Sequence, residues 1–216
     1  MLVIAPHADD ETLGCGAAIL RARRAGRRVS VVIVSDGSQS IRSALISAQQ
    51  LAALRVVETR AAMRVLGVDE ADLTFLGFPD AGLHGHRDAI AAALQSHIAA
   101  LRPAEICAPY GIDGHRDHRT VADVMDGLVR TGAVTCAVYD YPVWFWPRGA
   151  LRHVAAPARL RRLRRVATSG WLPQKRLAMD AYKSQREHIT GEAHTWVLED
   201  SFLANFYRPN EFFFLR

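Results

Sequence analysis

The feature that most constrains the fold is an alternation between short apolar runs and longer stretches with helical spacing of apolar residues. The apolar runs before residue 147 are LVIA, RVSVVIVS, DLTFLGF, EICAPY and TCAVYDYPVWFW. The stretches between them predict helices over about residues 12–25, 44–66, 88–101 and 120–129. Strands that alternate with helices of this length form parallel sheets covered on both faces. The pattern therefore predicts an α/β fold, a three-layer sandwich around a mostly parallel central sheet.

Beyond Pro147 the alternation is weaker. The segment ARLRRLRRVAT fits either a strand pair or a helix, whereas QKRLAMDAYKSQ has helical spacing. The aromatic tail FYRPNEFFFLR predicts an additional strand at the edge of the sheet. The 216 residues contain no repeat, no low-complexity linker and no break in composition. We therefore expect a single domain over residues 1–216.

Charge and cysteine content limit the classes of partner and compartment. The net charge of +5 includes a dense arginine cluster at residues 159–165 and favours anionic partners. The cluster lacks the interleaved aromatic residues of single-strand binders, so we interpret it as a solvated face and expect no nucleic acid.

The separated cysteines Cys15, Cys107 and Cys136 indicate free thiols in a reducing compartment. With no signal peptide and no apolar stretch of about 20 residues, we expect a cytoplasmic protein without a membrane span.

Polar residues follow four of the predicted strands at the point where each strand ends. PHADDE follows the first strand, SDG the second, PDAGLHGH the third and GIDGHRDH the fourth. In an open α/β sheet, ligands bind beyond the carboxyl ends of the strands. The sequence therefore predicts one functional site at the C-terminal edge of the sheet.

The first and fourth of these motifs together contain the residue types of a catalytic metal site. Such a site takes three protein ligands from histidine and carboxylate and leaves a fourth position for water. His7, Asp10 and His118 provide this set at two strand ends. Taken separately, each motif has a simpler interpretation: the acidic residues can cap a helix, and HRDH can be a polar exposed turn. Taken together, the two motifs favour a metal site.

The remaining polar residues of the two motifs suggest roles in amide hydrolysis. Asp9 is adjacent to a candidate ligand and can accept a proton from a metal-activated water. His115 can protonate a departing amine, and Asp117 can hold the imidazole of His115 and keep it charged. These assignments describe a metal-dependent hydrolase.

A dinucleotide site is the structural alternative to a metal site. GCGAAI resembles part of the G-x-G-x-x-G fingerprint, and Asp36 ends the second strand near the position of a ribose-binding acid. However, the third glycine is missing, and Gly14 and Gly16 fall inside the predicted helix. The acidic residues at the turn would also repel a pyrophosphate. We expect these glycines to permit close packing of helix and sheet.

PHADDE followed by HRDH about a hundred residues later resembles the signature of the PIG-L/LmbE-like zinc-dependent N-deacetylases. The resemblance covers about the first 140 residues. It implies a Rossmann-like α/β fold and removal of an N-acetyl group from an N-acetylglucosaminyl-type substrate. It also implies zinc, or another divalent transition metal, bound by His7, Asp10 and His118.

The resemblance extends to the residues around the metal. The resemblance implies that Asp9 is the general base and that His115 is the acid or electrostatic stabiliser. It also implies that Asp117 adjusts the acid-base behaviour of His115. Two further matches imply substrate contacts from Arg55, in LRVVE, and from Asp80, in GFPDAGL.

The sequence departs from one branch of this family at the position two residues before His115. That branch has a tyrosine that helps to stabilise the oxyanion, whereas this chain has Asp113. The expected substrate is a small amino-sugar conjugate. The positive net charge of the protein is compatible with an anionic group on this substrate. The oligomeric state stays open. Two alternatives also stay open: another metal-dependent amidase or esterase on a small glycoconjugate, and a non-catalytic nucleotide-binding module.

Overall fold

The structure is a computed structural model that describes residues 1–40, 43–146, 162–191 and 198–216. Within these ranges, seven strands form one sheet. They are β1 (Leu2–Ala5), β2 (Ser30–Ser35), β3 (Leu73–Phe78), β4 (Glu105–Pro109), β5 (Ala137–Tyr141), β6 (Leu163–Ala167) and β7 (Asn210–Leu215). Their order across the sheet is β3-β2-β1-β4-β5-β7-β6.

Helices alternate with the first five strands. The longer helices of the described residues are α1 (Asp10–Arg24), α2 (Ala48–Val65), α3 (Arg87–Leu101), α4 (Arg116–Arg130) and α5 (Leu172–Met179). Shorter elements are α6 (Lys183–Arg186), α7 (Asp200–Leu203) and the 3₁₀ helices Glu70–Asp72, Leu83–His86 and His188–Thr190.

The first five strands are parallel to one another, which confirms the predicted α/β fold. β1 pairs with β2 on one side and with β4 on the other, so the direction of chain progression reverses at β1. A crevice opens beyond the carboxyl ends of the strands at such a reversal. The turns that follow β1 and β4 border this crevice.

The side chains of the central strands alternate between two hydrophobic clusters. In β1, Val3 and Ala5 pack in one cluster with residues of α1, α2 and α5. Leu2 and Ile4 pack in the other cluster with residues of α3 and α4. Both faces of the sheet are therefore buried, which explains why the strands are continuous apolar runs in the sequence.

The aromatic tail forms a strand as predicted, but the expectation that it lies at the edge of the sheet is wrong. β7 pairs antiparallel with both β5 and β6, so within the described residues β6 forms this edge of the sheet and β3 forms the other. The reason lies in the side chains, since β7 buries Phe213 and Phe214 whereas β6 exposes Arg164 and Arg165. Charged residues suit an exposed edge because they oppose pairing with another chain. Residues 159–161 of the arginine cluster lie outside the described residues.

Three helical segments differ from their predicted ranges. α2 begins at Ala48 rather than at residue 44, because Ser47 and Gln50 form a reciprocal capping box with hydrogen bonds of 3.2 and 2.8 Å. α4 begins at Arg116 rather than at residue 120, which brings HRDH to its first turn. The QKRLAMDAYKSQ stretch, predicted as one helix, is divided between α5 and α6.

Two glycines of α1 allow close packing, as the sequence predicted. A Cβ atom on Gly14 would lie 2.2 Å from a ring carbon of Tyr141, and one on Gly16 would lie 3.0 Å from the side chain of Lys175. The glycines therefore serve contacts between helix, sheet and C-terminal segment.

A buried ion pair connects the C-terminal segment to the middle of α1. Nζ of Lys175 lies 2.7 Å from Oε1 of Glu211, and both side chains are buried. Lys175 also donates to the carbonyl oxygen of Leu13 at 2.7 Å. Glu211 accepts from the backbone N–H groups of Ala17 and Ala18 at 2.7 and 2.9 Å. Both charges are thereby hydrogen bonded, as burial requires.

The predicted free thiols are also found, since all three cysteines are unpaired and Cys15 and Cys107 lie in the core. Among the described residues, no helix combines the length and the apolarity that a membrane crossing needs.

The substitution Gly14→Ala should destabilise the protein by about 2 kcal/mol or more, because the new methyl group would overlap the buried ring of Tyr141. Gly127→Ala in α4 is the matched control, since no atom lies within 4 Å of the new Cβ. The control should be neutral or stabilising by up to about 1 kcal/mol. Urea denaturation measures both free energies of unfolding, and equal values would contradict the prediction.

Candidate metal centre

The loops after β1 to β4 converge at the carboxyl edge of the sheet, as predicted. Nε2 of His7, after β1, lies 3.3 Å from Oδ1 of Asp80, after β3, and 3.4 Å from Oδ2 of Asp117, after β4. Asp36, after β2, accepts a hydrogen bond from the N–H of Asp80 at 3.1 Å. These loops border one cleft with a volume of about 360 Å³.

The turn between β1 and α1 has an unusual backbone conformation at Asp9. Its φ is 122° and its ψ is −31°, a region that non-glycine residues rarely adopt. Asp9 occupies the N-cap position of α1, yet its side chain makes no capping hydrogen bond. The interpretation of the acidic residues as a simple helix cap is therefore wrong for Asp9, whose carboxylate lines the cleft instead.

Three donor atoms of the predicted ligand set lie at nearly equal distances from one another. Nδ1 of His7 is 3.3 Å from Oδ2 of Asp10 and 3.3 Å from Nε2 of His118. Nε2 of His118 is 3.1 Å from Oδ2 of Asp10. A tetrahedral zinc ion with bonds of about 2.0–2.1 Å separates its ligands by roughly 3.3 Å. The residues present therefore fit a zinc ion in both spacing and donor chemistry.

Two other groups in the cleft also have the residue types of a metal site. One consists of His7, His115 and His118, and the other of His7, Asp80 and Asp117. In each group the ligand atoms all lie within 4.8 Å of one another. The two carboxylates of the second group instead face Nε2 of His7, the ring nitrogen opposite Asp10.

His115 caps α4, and its environment differs from the sequence-based expectation. Its Nδ1 accepts a hydrogen bond from the N–H of Asp117 at 3.3 Å, which leaves Nε2 to carry the hydrogen of the neutral ring. Burial and the nearby imidazoles of His7 and His118 lower the pKa of His115 to about 4. The charge of Asp117 favours the protonated form of His115 but does not outweigh these effects, and its carboxylate contacts His7.

Charge interactions in the cleft give two adjacent aspartates different proton affinities. Burial lowers the pKa of His118, but the carboxylate of Asp10 outweighs burial and raises it to about 9. Burial raises the pKa of Asp10, but His118 and His7 outweigh this effect and hold it below its ordinary value. Burial and the charge of Asp10 raise the pKa of Asp9 well above its usual range. Asp10 therefore stays ionised, whereas Asp9 binds a proton readily.

Arg55 and Asp80, the predicted substrate-binding residues, both line the cleft. Arg55 is 2% exposed, and its Nη2 donates to Oγ of Ser40 at 2.8 Å. Its Nη1 has no hydrogen-bond partner among the described residues and lies 3.7 Å from Glu58. A buried guanidinium nitrogen without a hydrogen-bond acceptor is costly, which favours a ligand group at this position.

Asp36 has a role other than the one considered for a dinucleotide site. Its Oδ1 accepts from the N–H groups of Ser38 and Asp80, so it joins the loops after β2 and β3. Asp80 in turn accepts from the N–H of Gln39 at 3.1 Å. Asp36 therefore supports the shape of the cleft.

Asp113 supports the site in a way that sequence analysis missed. It is 1% exposed, and its carboxylate accepts from the N–H groups of His115, Val143 and Trp144 at 2.9–3.0 Å. Oδ2 also lies 3.7 Å from Nδ1 of His118. This residue therefore orders the loop after β4 and joins it to the turn after β5, which brings Trp144 to the cleft. An aspartate two residues before a helix N-cap was the available signal.

The segment at residues 182–185 also contacts the site, although the sequence indicated only a helix there. The hydroxyl of Tyr182 donates to Oε1 of Glu11. Nε2 of Gln185 donates to the carbonyl oxygen of Ala8 at 2.6 Å. Ser184 donates to Glu58 through its N–H and its hydroxyl, both at 2.6 Å. Nothing in the spacing of these residues could reveal partners more than 120 positions away.

A second cavity, of about 380 Å³, lies at the opposite edge of the sheet and is lined by residues that include Met1, Arg27 and Glu105. Arg27 and Glu105 form an ion pair at 2.7 Å. Within the described ranges, the candidate metal-binding groups all contain His7 and so lie at the carboxyl edge.

The fold and the cleft together define an α/β protein with a candidate metal centre at the carboxyl edge of its sheet. Residues 2–128 match the family described as GlcNAc-PI de-N-acetylase, and the chain belongs to this PIG-L family.

A curated relative is the 1D-myo-inositol 2-acetamido-2-deoxy-alpha-D-glucopyranoside deacetylase of Mycobacterium sp. (strain KMS). It is 33% identical over 171 residues, which cover 68% of this chain and 53% of the relative. The chain thus spans about half the length of this relative.

Solved structures share the fold at low sequence identity. The N,N'-diacetylchitobiose deacetylase of Pyrococcus horikoshii has a TM-score of 0.75 at 21% identity, with 100% of this chain and 82% of that chain covered. The 4-carboxy-2-hydroxymuconate hydratase of Pseudomonas putida KT2440 has a TM-score of 0.72 at 15% identity, with 100% and 94% covered. Because a deacetylase and a hydratase share this fold, the reaction must be argued from the site.

The substitution Asp113→Ala should lower the free energy of unfolding by at least about 2 kcal/mol, because it leaves three backbone N–H groups without an acceptor. The matched control is Asp123→Ala, which removes only an exposed ion pair with Arg87. Exposed pairs contribute less than about 1 kcal/mol. Urea denaturation measures the free energy of unfolding of both variants. If Asp113→Ala loses no more of it than Asp123→Ala, Asp113 does not stabilise the loop after β4.

Proposed function

We propose that the protein is a metal-dependent hydrolase that removes an N-acetyl group from a small amino-sugar conjugate. The observation that carries this proposal is the tight cluster of donor atoms from His7, Asp10 and His118 next to the carboxylate of Asp9. Amide hydrolysis requires an activated water and a base beside it. The relatives that are named as deacetylases of N-acetylglucosamine-type compounds support the substrate class.

In this proposal, His7, Asp10 and His118 hold zinc or another divalent transition metal. Imidazole and carboxylate are donors that zinc prefers, and three protein ligands leave a position open for water. Asp80 and Asp117 face the second nitrogen of His7 and orient its ring, as outer carboxylates do in metal sites. The cation, when bound, would lower the pKa of a water molecule and polarise the acetyl carbonyl group.

Asp9 is the general base of the proposed reaction. Its carboxylate lines the cleft, and its raised pKa makes it a better proton acceptor than an ordinary aspartate. After it has taken a proton from the attacking water, Asp9 also has a proton for the departing amine. This second role is favoured because His115 is neutral and shares its Nδ1 with a backbone N–H.

His115 is a hydrogen-bond donor to the carbonyl oxygen rather than a charged acid. Its Nε2 carries the available hydrogen, and its ring lies 4.7 Å from the ring of His7. A donor fixed at this position stabilises the negative charge that develops on the carbonyl oxygen. Asp117 fixes the ring through its backbone N–H.

Arg55 and Asp80 are the proposed substrate contacts, and Trp144 also lines the cleft. Nη1 of Arg55, for which the described residues supply no hydrogen-bond acceptor, is suited to a sugar hydroxyl or an anionic group of the conjugate. Both oxygens of Asp80 already accept protein hydrogen bonds, so this residue has limited capacity for a sugar hydroxyl. The cleft volume of about 360 Å³ lies within the range of small-molecule sites.

The substitution Asp9→Ala should lower kcat by about 100-fold or more, because the base is removed, while the metal content stays unchanged. His118→Ala should lose both metal and activity. Acetate release from 1D-myo-inositol 2-acetamido-2-deoxy-alpha-D-glucopyranoside and from N,N'-diacetylchitobiose measures activity, and elemental analysis measures bound metal. Removal of the metal with a chelator should abolish acetate release, and zinc should restore it.

Each alternative function has a distinct outcome in the same experiments. Full activity of Asp9→Ala on an accepted substrate would show that the base assignment is wrong. Faster hydrolysis of an O-acetyl ester than of any N-acetyl sugar would indicate an esterase. Binding of a dinucleotide without stoichiometric metal would indicate the nucleotide-binding alternative.

The substitution Arg55→Met should raise KM by about 10-fold or more, because a charged hydrogen bond to the substrate is lost. Arg60→Met, on the same helix, is the matched control, since Arg60 makes an exposed ion pair with Glu70. Steady-state kinetics on an accepted N-acetyl sugar compares the two variants. An unchanged KM for Arg55→Met would remove Arg55 from the proposed substrate site.

A further inference from the structure

The peptide unit between Ala8 and Asp9 is held at both of its polar atoms. Its carbonyl oxygen, on Ala8, accepts a hydrogen bond from Nε2 of Gln185 at 2.6 Å. Its N–H, on Asp9, donates to Oε2 of Glu11 at 3.1 Å. A peptide unit is planar, so two opposed hydrogen bonds fix the orientation of its plane. The angle φ of Asp9 is the rotation that connects this plane to the side chain of Asp9.

The fixed plane corresponds to an unfavourable backbone conformation. A φ of 122° at an aspartate costs of order 1–3 kcal/mol and persists only where the surroundings enforce it. Without the two hydrogen bonds, rotation of the plane toward an ordinary helical N-cap would be favoured, and the carboxylate would then cap α1. The conformation that keeps the carboxylate in the cleft therefore depends on groups other than Asp9.

Glu11 is itself fixed by two further donors. Its Oε1 accepts from Oγ1 of Thr12 at 2.7 Å and from the hydroxyl of Tyr182. Glu11 and Tyr182 are both 0% exposed. An ionised carboxylate only accepts hydrogen bonds, so all three donors that surround Glu11 are satisfied by the same group. Tyr182 and Gln185 lie three positions apart, and one segment thus supports both ends of the peptide unit.

We propose that Glu11, Tyr182 and Gln185 are positioning residues that hold the Ala8–Asp9 peptide plane and thereby keep the carboxylate of Asp9 in the cleft. This inference rests on the proposed function, in which Asp9 is the base. It assigns a role in the reaction to a C-terminal segment that lies beyond the family match, which ends at residue 128.

The decisive variants are Tyr182→Phe and Gln185→Met, which each remove one donor and keep most of the side-chain volume. Each should lower kcat by about 10- to 100-fold, because small displacements of a catalytic group have effects of this size. KM and metal content should change less than about twofold. The double variant should lose little more than the stronger single variant, since both act on the same peptide unit.

Tyr141→Phe is the matched control. The hydroxyl of Tyr141 is also fully buried and donates to a backbone carbonyl at 2.8 Å, but this carbonyl belongs to Ile4 and not to the Ala8–Asp9 peptide unit. Both tyrosine variants should therefore lose similar stability, and only Tyr182→Phe should lose kcat. A kcat of Tyr182→Phe within twofold of the wild type, or an equal loss in Tyr141→Phe, would overturn the proposal.

A crystal structure of Tyr182→Phe separates failure of this inference from failure of the proposed function. Acetate release by the wild-type protein tests the function alone. If the wild type releases no acetate, the backbone of the variant still tests the inference. The Ala8–Asp9 peptide should rotate in the variant, whereas an unchanged φ at Asp9 would show that Tyr182 does not hold it.

Discussion

Negative charge concentrated at the carboxyl end of β1 is the constraint on which the rest of the site depends. Asp9, Asp10 and Glu11 are consecutive and at most 5% exposed, so their charges must be compensated inside the protein. Asp10 is compensated by imidazoles, including that of His118. Glu11 is compensated by hydrogen-bond donors, including the hydroxyl of Tyr182. For Asp9, burial and the charges of Asp10 and Glu11 outweigh the attraction of Arg55 and His7, so its pKa is raised. Three adjacent carboxylates thus occupy three environments.

The C-terminal part of the chain provides much of this compensation. β7 enters the sheet beside β5, and Glu211 on β7 pairs with Lys175 against the middle of α1. The segment at residues 182–185 contacts the turn in front of α1 and, through Glu58, the helix that carries Arg55. The N-terminal motifs therefore supply the groups of the proposed site, and the C-terminal segment contacts α1 and the turn that precedes it.

The same sheet occurs in a hydratase, so the architecture accounts for where a ligand binds but not for which reaction occurs. The cleft of this protein combines a compact triangle of nitrogen and oxygen donors with an aspartate directed away from its usual capping position. In the same cleft, His115 accepts a backbone hydrogen bond through Nδ1, and such a ring can donate through Nε2 to an oxyanion.

The sequence by itself determined the parallel sheet, the edge at which the site lies and the convergence of His7, Asp10 and His118, because these follow from periodicity and from residues placed directly after strands. Only the tertiary structure decided the partners of Asp117 and Asp113, the place of β7 inside the sheet and the contacts of residues 182–185. Apart from the bond between Asp113 and the nearby His115, each of these depends on residues that meet across more than 20 positions of the chain. Contacts at such separations leave no local pattern in the sequence.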